Sequence, residues 1–165
     1  MKKISFLLIS FILLLSIVAC AGYKPIFNTT NLKFKIYDYS IVGDKKIGNK
    51  IYTQLHNLSK SSKDNNEVKN VELIIKILKE KYSTSKDKTG KILAYKINLS
   101  TTIILKDFSS GSEILNKNFS YWESFNVQDQ YSETIKLEKK SIENLIDKTY
   151  KELLIKLSES ILKKW

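Results

Sequence analysis

The sequence predicts an α+β fold: a two-layer sandwich in which a four-stranded sheet carries two helices on one face. Three observations lead there. Residues 71–82, 93–106 and 113–125 alternate apolar and polar with period two, the mark of half-buried strands. Short turns rich in Asp, Ser, Thr and Gly join these three segments, so they form an antiparallel meander with one wet face. Two other segments repeat their apolar residues at helical spacing. Two amphipathic helices and a sheet with one wet face pack most economically with both helices on the dry side.

The elements follow in order. In 32–39, Phe34 and Ile36 face one way and Lys33, Lys35 and Tyr37 the other, a first strand. Gly43-Asp44 breaks it and supplies a helix N-cap. Ile47, Ile51, Leu55 and Leu58 then stripe a helix over 44–60. Residues 59–66 are polar and aperiodic, a loop. The second strand sets Val71, Leu73, Ile75 and Ile77 against Glu72, Lys76 and Glu80. The third sets Leu93, Tyr95, Ile97, Leu99, Thr101, Ile103 and Leu105 against Ala94 through Lys106. Residues 85–91 and 107–111 are the turns on either side of it. The fourth, 113–125, alternates Leu115, Phe119 and Tyr121. A long helix over 132–163 closes the domain, striped by Ile135, Ile142, Leu145, Ile146, Leu153, Leu157 and Ile161. Ser132 is its expected cap, and Lys163 and Lys164 suit the negative end of its dipole.

The amino terminus reads differently. Lys2 and Lys3 precede an apolar run from Ile4 to Val18, too short for the roughly 20 residues of a membrane span but right for a secretory signal. Ile17-Val18-Ala19-Cys20 resembles a bacterial lipobox. The resemblance implies cleavage after residue 19, a thioether lipid on Cys20 and fatty acylation, such as palmitate, of the new amino terminus. Several acyl chains, at about 0.8 kcal/mol per buried methylene, anchor stably where one chain would not. The plan is therefore a signal peptide over 1–19, a lipidated tether over 20–31 and one domain over 32–165. Ala21, in place of the aspartate that retains lipoproteins at the inner membrane, implies an outer-membrane destination.

Composition narrows the function. Cys20 is the single cysteine, so the mature domain has neither a disulfide nor a thiolate metal site, and one histidine, His56, makes no zinc cluster. The chain carries +11, and +9 once Lys2 and Lys3 are removed, which draws it to polyanions. Every basic residue is lysine. Lys, Ile and Asn share AT-rich codons, so genome composition accounts for part of that charge. Nucleic acid is the wrong partner for an exported chain. No nucleophile elbow, P-loop or dinucleotide fingerprint is present, and no motif sets a nucleophile beside His56. The expectation is a protein that is not an enzyme and needs no cofactor.

Two stretches stand out as candidate sites. Lys86-Asp87-Lys88-Thr89-Gly90-Lys91, backed by Lys81, offers lysines to phosphates. At the end of the fourth strand, alternation turns Trp122 to the wet face, and with Phe125 it marks a candidate partner surface.

The chain resembles the lipopolysaccharide-assembly lipoprotein family, LptE, in its alphaproteobacterial form. The resemblance rests on Cys20 followed by Gly22-Tyr-Lys-Pro-Ile-Phe27, on Gly43 with the Ile47-Gly-Asn-Lys-Ile51-Tyr-Thr-Gln-Leu55 helix, and on Tyr95-Lys-Ile-Asn-Leu99, the 107–111 turn, the 119–125 strand and Tyr131-Ser132. Ala21 before Gly22 and the absence of arginine depart from the family's habit. The resemblance implies a lipid-anchored domain on the periplasmic face of the outer membrane. It plugs and helps assemble the lipopolysaccharide-export β-barrel LptD, and it binds lipopolysaccharide in transit. The alternative is a structural lipoprotein of general outer-membrane protein assembly.

Overall fold

The computed structural model describes residues 34–60 and 68–164. The signal segment, Cys20, the tether and most of the 59–66 loop lie outside the described residues. Six elements appear in the expected order: β1 (Phe34–Gly43), α1 (Lys45–Lys60), β2 (Lys69–Lys86), β3 (Ile92–Asp107), β4 (Glu113–Asn126) and α2 (Tyr131–Lys164). The sheet order is β1-β2-β3-β4. β2, β3 and β4 form the antiparallel meander, whereas β1 pairs parallel to β2. A parallel pair needs a crossover, and α1 provides it.

Both helices cover the same face. α1 lies on β1 and β2, and α2 lies on β4 and the neighbouring part of β3. The core between the layers joins Ile47, Ile51 and Leu55 of α1 and Leu145, Ile146, Leu153 and Leu157 of α2 to Val71, Leu73, Ile75, Ile97, Leu99, Ile103 and Phe119 of the sheet. Burying each such side chain contributes about 1.5–3 kcal/mol, so this interface is the main source of stability.

β1 runs four residues beyond its predicted end because of a β-bulge between Ile36 and Asp38. The extra residue shifts the alternation by one. Phe34 and Ile36 point inward as expected, and beyond the bulge Tyr39 and Ile41 pair with Leu73 and Ile75, so they too take the helix side. Tyr39 stacks on Tyr52 of α1, with centroids 3.9 Å apart. Gly43 ends the strand at φ +93°, and a Cβ there would fall 1.9 Å from the Ile77 carbonyl oxygen. Only glycine fits that approach. Asp44 then caps α1 as predicted, its Oδ1 accepting from the amides of Lys46 and Ile47 at 3.1 Å each. Gly48 lets α1 settle onto β1, since a Cβ there would meet Ile41 Cγ2 at 2.4 Å.

α2 starts one residue before the predicted cap. Tyr131 is its first residue and Ser132 lies within the first turn, where the Glu133 and Thr134 amides bond to the Gln130 carbonyl. The side chain that organises this end is Thr134, whose Oγ1 accepts from the Gln128 amide at 2.9 Å. The helix also buries Ser141 and Thr149, which the apolar stripe omitted. Thr149 satisfies its hydroxyl internally by donating to the Leu145 carbonyl at 2.9 Å.

Candidate functional site

The β2–β3 hairpin reaches past the helical layer. From Leu78 to Lys91 every residue is exposed, and Leu93, expected on the inner face, is exposed as well. The strands stay paired from Val71–Asp107 to Lys86–Ile92. Asp87 holds the tip together. Its Oδ1 accepts from the Thr89 amide at 2.8 Å, the Thr89 hydroxyl at 2.7 Å and the Lys91 amide at 3.0 Å. The Thr89 hydroxyl, with the Thr89 and Lys91 amides, holds the Asp87 carboxyl below its ordinary range, so it stays ionised. Its charge is spent inside the turn, while Lys86, Lys88 and Lys91 make no ion pair among the described residues. The tip is therefore a small cationic head on a rigid stalk.

Lys81 does not belong to that head. It faces the helical layer, where Nζ pairs with Glu138 at 2.5 Å and lies 4.3 Å from the Tyr95 ring centroid. Its charge is already neutralised, which fits a role in docking α2 onto the hairpin base. The sequence grouped it with the tip because strand parity alone does not show which cation meets a carboxylate from another element.

The uncovered face of the sheet carries the second candidate. Trp122 is 61% exposed there. Lys96 Nζ lies 4.1 Å from the centroid of the Trp122 ring and 5.9 Å from that of Tyr82. Tyr82 and Lys96 are register partners, as are Asn98 and Trp122. Polar and apolar groups share the rest of this face: Ser100 and Thr102 both donate to Asn118 Oδ1 and Asn98 Nδ2 bonds to Glu80, while Leu78, 58% exposed, lies opposite Ser100 and Ile74 opposite Ile104. Phe125 is not part of this surface. It lies three positions after Trp122, an odd offset, so it points to the opposite face, is 7% exposed and contacts Tyr95 in the core. The structure thus brings Tyr82 and Lys96 to Trp122, two neighbours that cross-strand register alone reveals.

His56 sits on α1 with its ring 5.3 Å from that of Tyr52. Its Nδ1 is buried without a hydrogen-bond partner among the described residues. Among the described residues no group of three metal-ligating side chains converges, and no helix is long and apolar enough to cross a membrane.

Fold and surface define an α+β sandwich with two helices on one face of a mixed sheet, a cationic hairpin and an aromatic open face. Solved structures of bacterial lipoproteins share the sandwich fold. A minor lipoprotein from Acinetobacter baumannii superposes with a TM-score of 0.56 at 14% identity, over 78% of this chain and 92% of its own. An uncharacterised lipoprotein B from Nitrosomonas europaea gives 0.55 at 14% identity, over 84% and 93%. A provisionally named lipoprotein from Caulobacter crescentus gives 0.56 at 12%, over 81% and 93%. No protein-family model matches the sequence, and no curated protein does.

Proposed function

We propose that this chain is an outer-membrane lipoprotein of the LptE family, anchored through Cys20. It plugs and helps assemble an LptD-like lipopolysaccharide-export barrel and binds lipopolysaccharide on its way to the surface. The observation that carries the reading is the hairpin tip. Three lysines that make no ion pair among the described residues stand on a stalk beyond the sandwich, and the one carboxylate among them is turned into the loop. Such a head meets phosphate groups as point charges, competing with the divalent cations that bridge them. The shared sandwich of solved lipoproteins and the lipobox-like sequence at Cys20 support the same reading. A lipid tether raises the effective concentration of the domain at a membrane-embedded partner. The role is binding and assembly rather than catalysis.

Purification of the lipidated full chain from membranes tests this. The expected result is one stoichiometric β-barrel partner that carries lipopolysaccharide. Recovery of general outer-membrane assembly factors alone would overturn it in favour of a structural scaffold.

A further inference from the structure

The groove between α1 and α2 holds a second cationic site, independent of the hairpin. Two cavities lie along it. One, of about 230 Å³, has Ile47, Ile142 and Ile146 among its lining and four lysines at its rim: Lys46, Lys50, Lys79 and Lys139. The other, of about 390 Å³, continues past Lys50, Glu143 and Ile146 towards Gln54. The two share Lys50, Glu143 and Ile146 in their linings, and Lys50 pairs with Glu143 at 2.6 Å. Both partners are well exposed, 44% and 61%, so the pair is a weak strap that a competing anion can open. The larger falls within the range of ordinary small-ligand sites, about 300–1,000 Å³, and the smaller adjoins it.

Charge and surface specify the occupant. Asp44 takes up Lys79 at 2.9 Å, and Glu143 takes up Lys50. Lys46 and Lys139 make no ion pair among the described residues, although the Lys46 charge also helps to hold the Glu143 carboxyl low, and they stand over a floor formed by Ile142 and the edges of Ile47 and Ile146. A lysine pair of this kind receives a compact anion, and the floor receives an apolar chain, while the lysine stems extend the apolar wall. At the far end, Gln54 Oε1 is buried with no donor among the described residues, although polar groups are ordinarily paired when buried. We infer that it binds a single-chain anionic amphiphile, with a phosphate or carboxylate head between Lys46 and Lys139 and its chain along Ile47, Ile142 and Ile146.

The test uses the isotopically labelled full chain in phosphatidylcholine nanodiscs, titrated with octyl phosphate, butyl phosphate, inorganic phosphate and octyltrimethylammonium. Octyl phosphate is expected to shift the amides of Lys46, Ile47 and Ile142 saturably, more tightly than butyl phosphate, with the ammonium amphiphile inactive. The Lys46→Ala/Lys139→Ala double variant should weaken octyl phosphate by roughly tenfold, two charge-assisted contacts being lost, with its circular dichroism unchanged. Equal binding of inorganic phosphate and octyl phosphate would overturn the inference, as would shifts confined to residues 86–91 or an unaffected double variant. A chain that binds no barrel partner yet passes this test would lose the proposed function and keep the groove.

Discussion

Lys96 holds its ammonium over the Trp122 ring, 4.1 Å from the centroid, on the sheet face that neither helix covers. The pair orders a large side chain that would otherwise rotate freely in water, and it keeps a flat aromatic surface presented. An exposed cation–π contact contributes only about 0.5–1 kcal/mol, so its value lies in presentation more than in stability.

Trp122→Ala is therefore expected to lower stability by less than about 1 kcal/mol. If the proposed barrel partner is bound through this face, the same substitution should sharply reduce its recovery when the full chain is purified from membranes. Thermal melts and pull-down yield check the two halves separately. Undiminished recovery would remove this face from the interface. Phe125→Ala should show the opposite pattern, losing about 3–5 kcal/mol through the core cavity it opens.

Gly43 has no room for change. At φ +93°, and with the Ile77 carbonyl where a Cβ would stand, Gly43→Ala should cost at least about 2 kcal/mol through backbone strain and overlap. Urea unfolding measures it, and a midpoint within error of the parent would show that β1 and β2 separate there without penalty.

Asp44 links stability to pH. Burial pushes its carboxyl upward, but the Lys79 ammonium and the Ile47 and Lys46 amides outweigh that and hold it below its ordinary value of 3.8. A depressed folded value means stability that is present above pH 3.8 and lost as pH falls from there through the folded value. Asp44→Ala should cost about 0.5–2 kcal/mol at neutral pH. It should also flatten the acid limb of the melting temperature below pH 4. An acid limb identical in variant and parent would assign the dependence to other carboxylates, Asp107 and Glu143 among them.

Strand and helix identity was legible in the sequence because the core residues of β2 and β3 follow strict parity and those of α1 follow a clean stripe. Three features were not legible, each for a physical reason. The bulge after Ile36 inserts one residue, so periodicity ends although the strand continues to Gly43. The buried face of α2 includes Thr134, Ser141 and Thr149, whose polarity hides them from an apolar stripe. The site suffered from the same limit of local pattern. Lys86, Lys88 and Lys91 share one turn and were readable, whereas the Lys81–Glu138 pair and the Tyr82–Lys96–Trp122 group depend on contacts between distant segments.

Among the described sheet residues, Thr101 alone has a buried side-chain polar atom with no partner. It is fully buried, and its Oγ1 has no hydrogen-bond partner among the described residues. An unpaired buried hydroxyl carries its desolvation cost without return. Thr101→Val keeps the branched shape and removes the oxygen, so it should raise stability by about 1 kcal/mol. A destabilised variant in chemical denaturation would mean that the hydroxyl bonds to a buried water.

The hairpin tip makes the sharpest functional prediction. Replacing Lys86, Lys88 and Lys91 together with alanine removes three cations that have no ion-pair partner among the described residues and touch no core side chain. Stability should stay within about 0.5 kcal/mol of the parent, as for surface changes generally. Lipopolysaccharide binding should fall at low salt and converge with the parent as salt rises, because added ions screen the parent's contacts over about 10 Å at 0.1 M and less above. Lys81→Ala serves as the contrast. Its ammonium is already paired with Glu138, so it should loosen the α2–hairpin contact while leaving the salt dependence of binding intact. Surface plasmon resonance at several salt concentrations separates the two variants. Equal binding by the triple variant and the parent at low salt would exclude the tip as the phosphate contact.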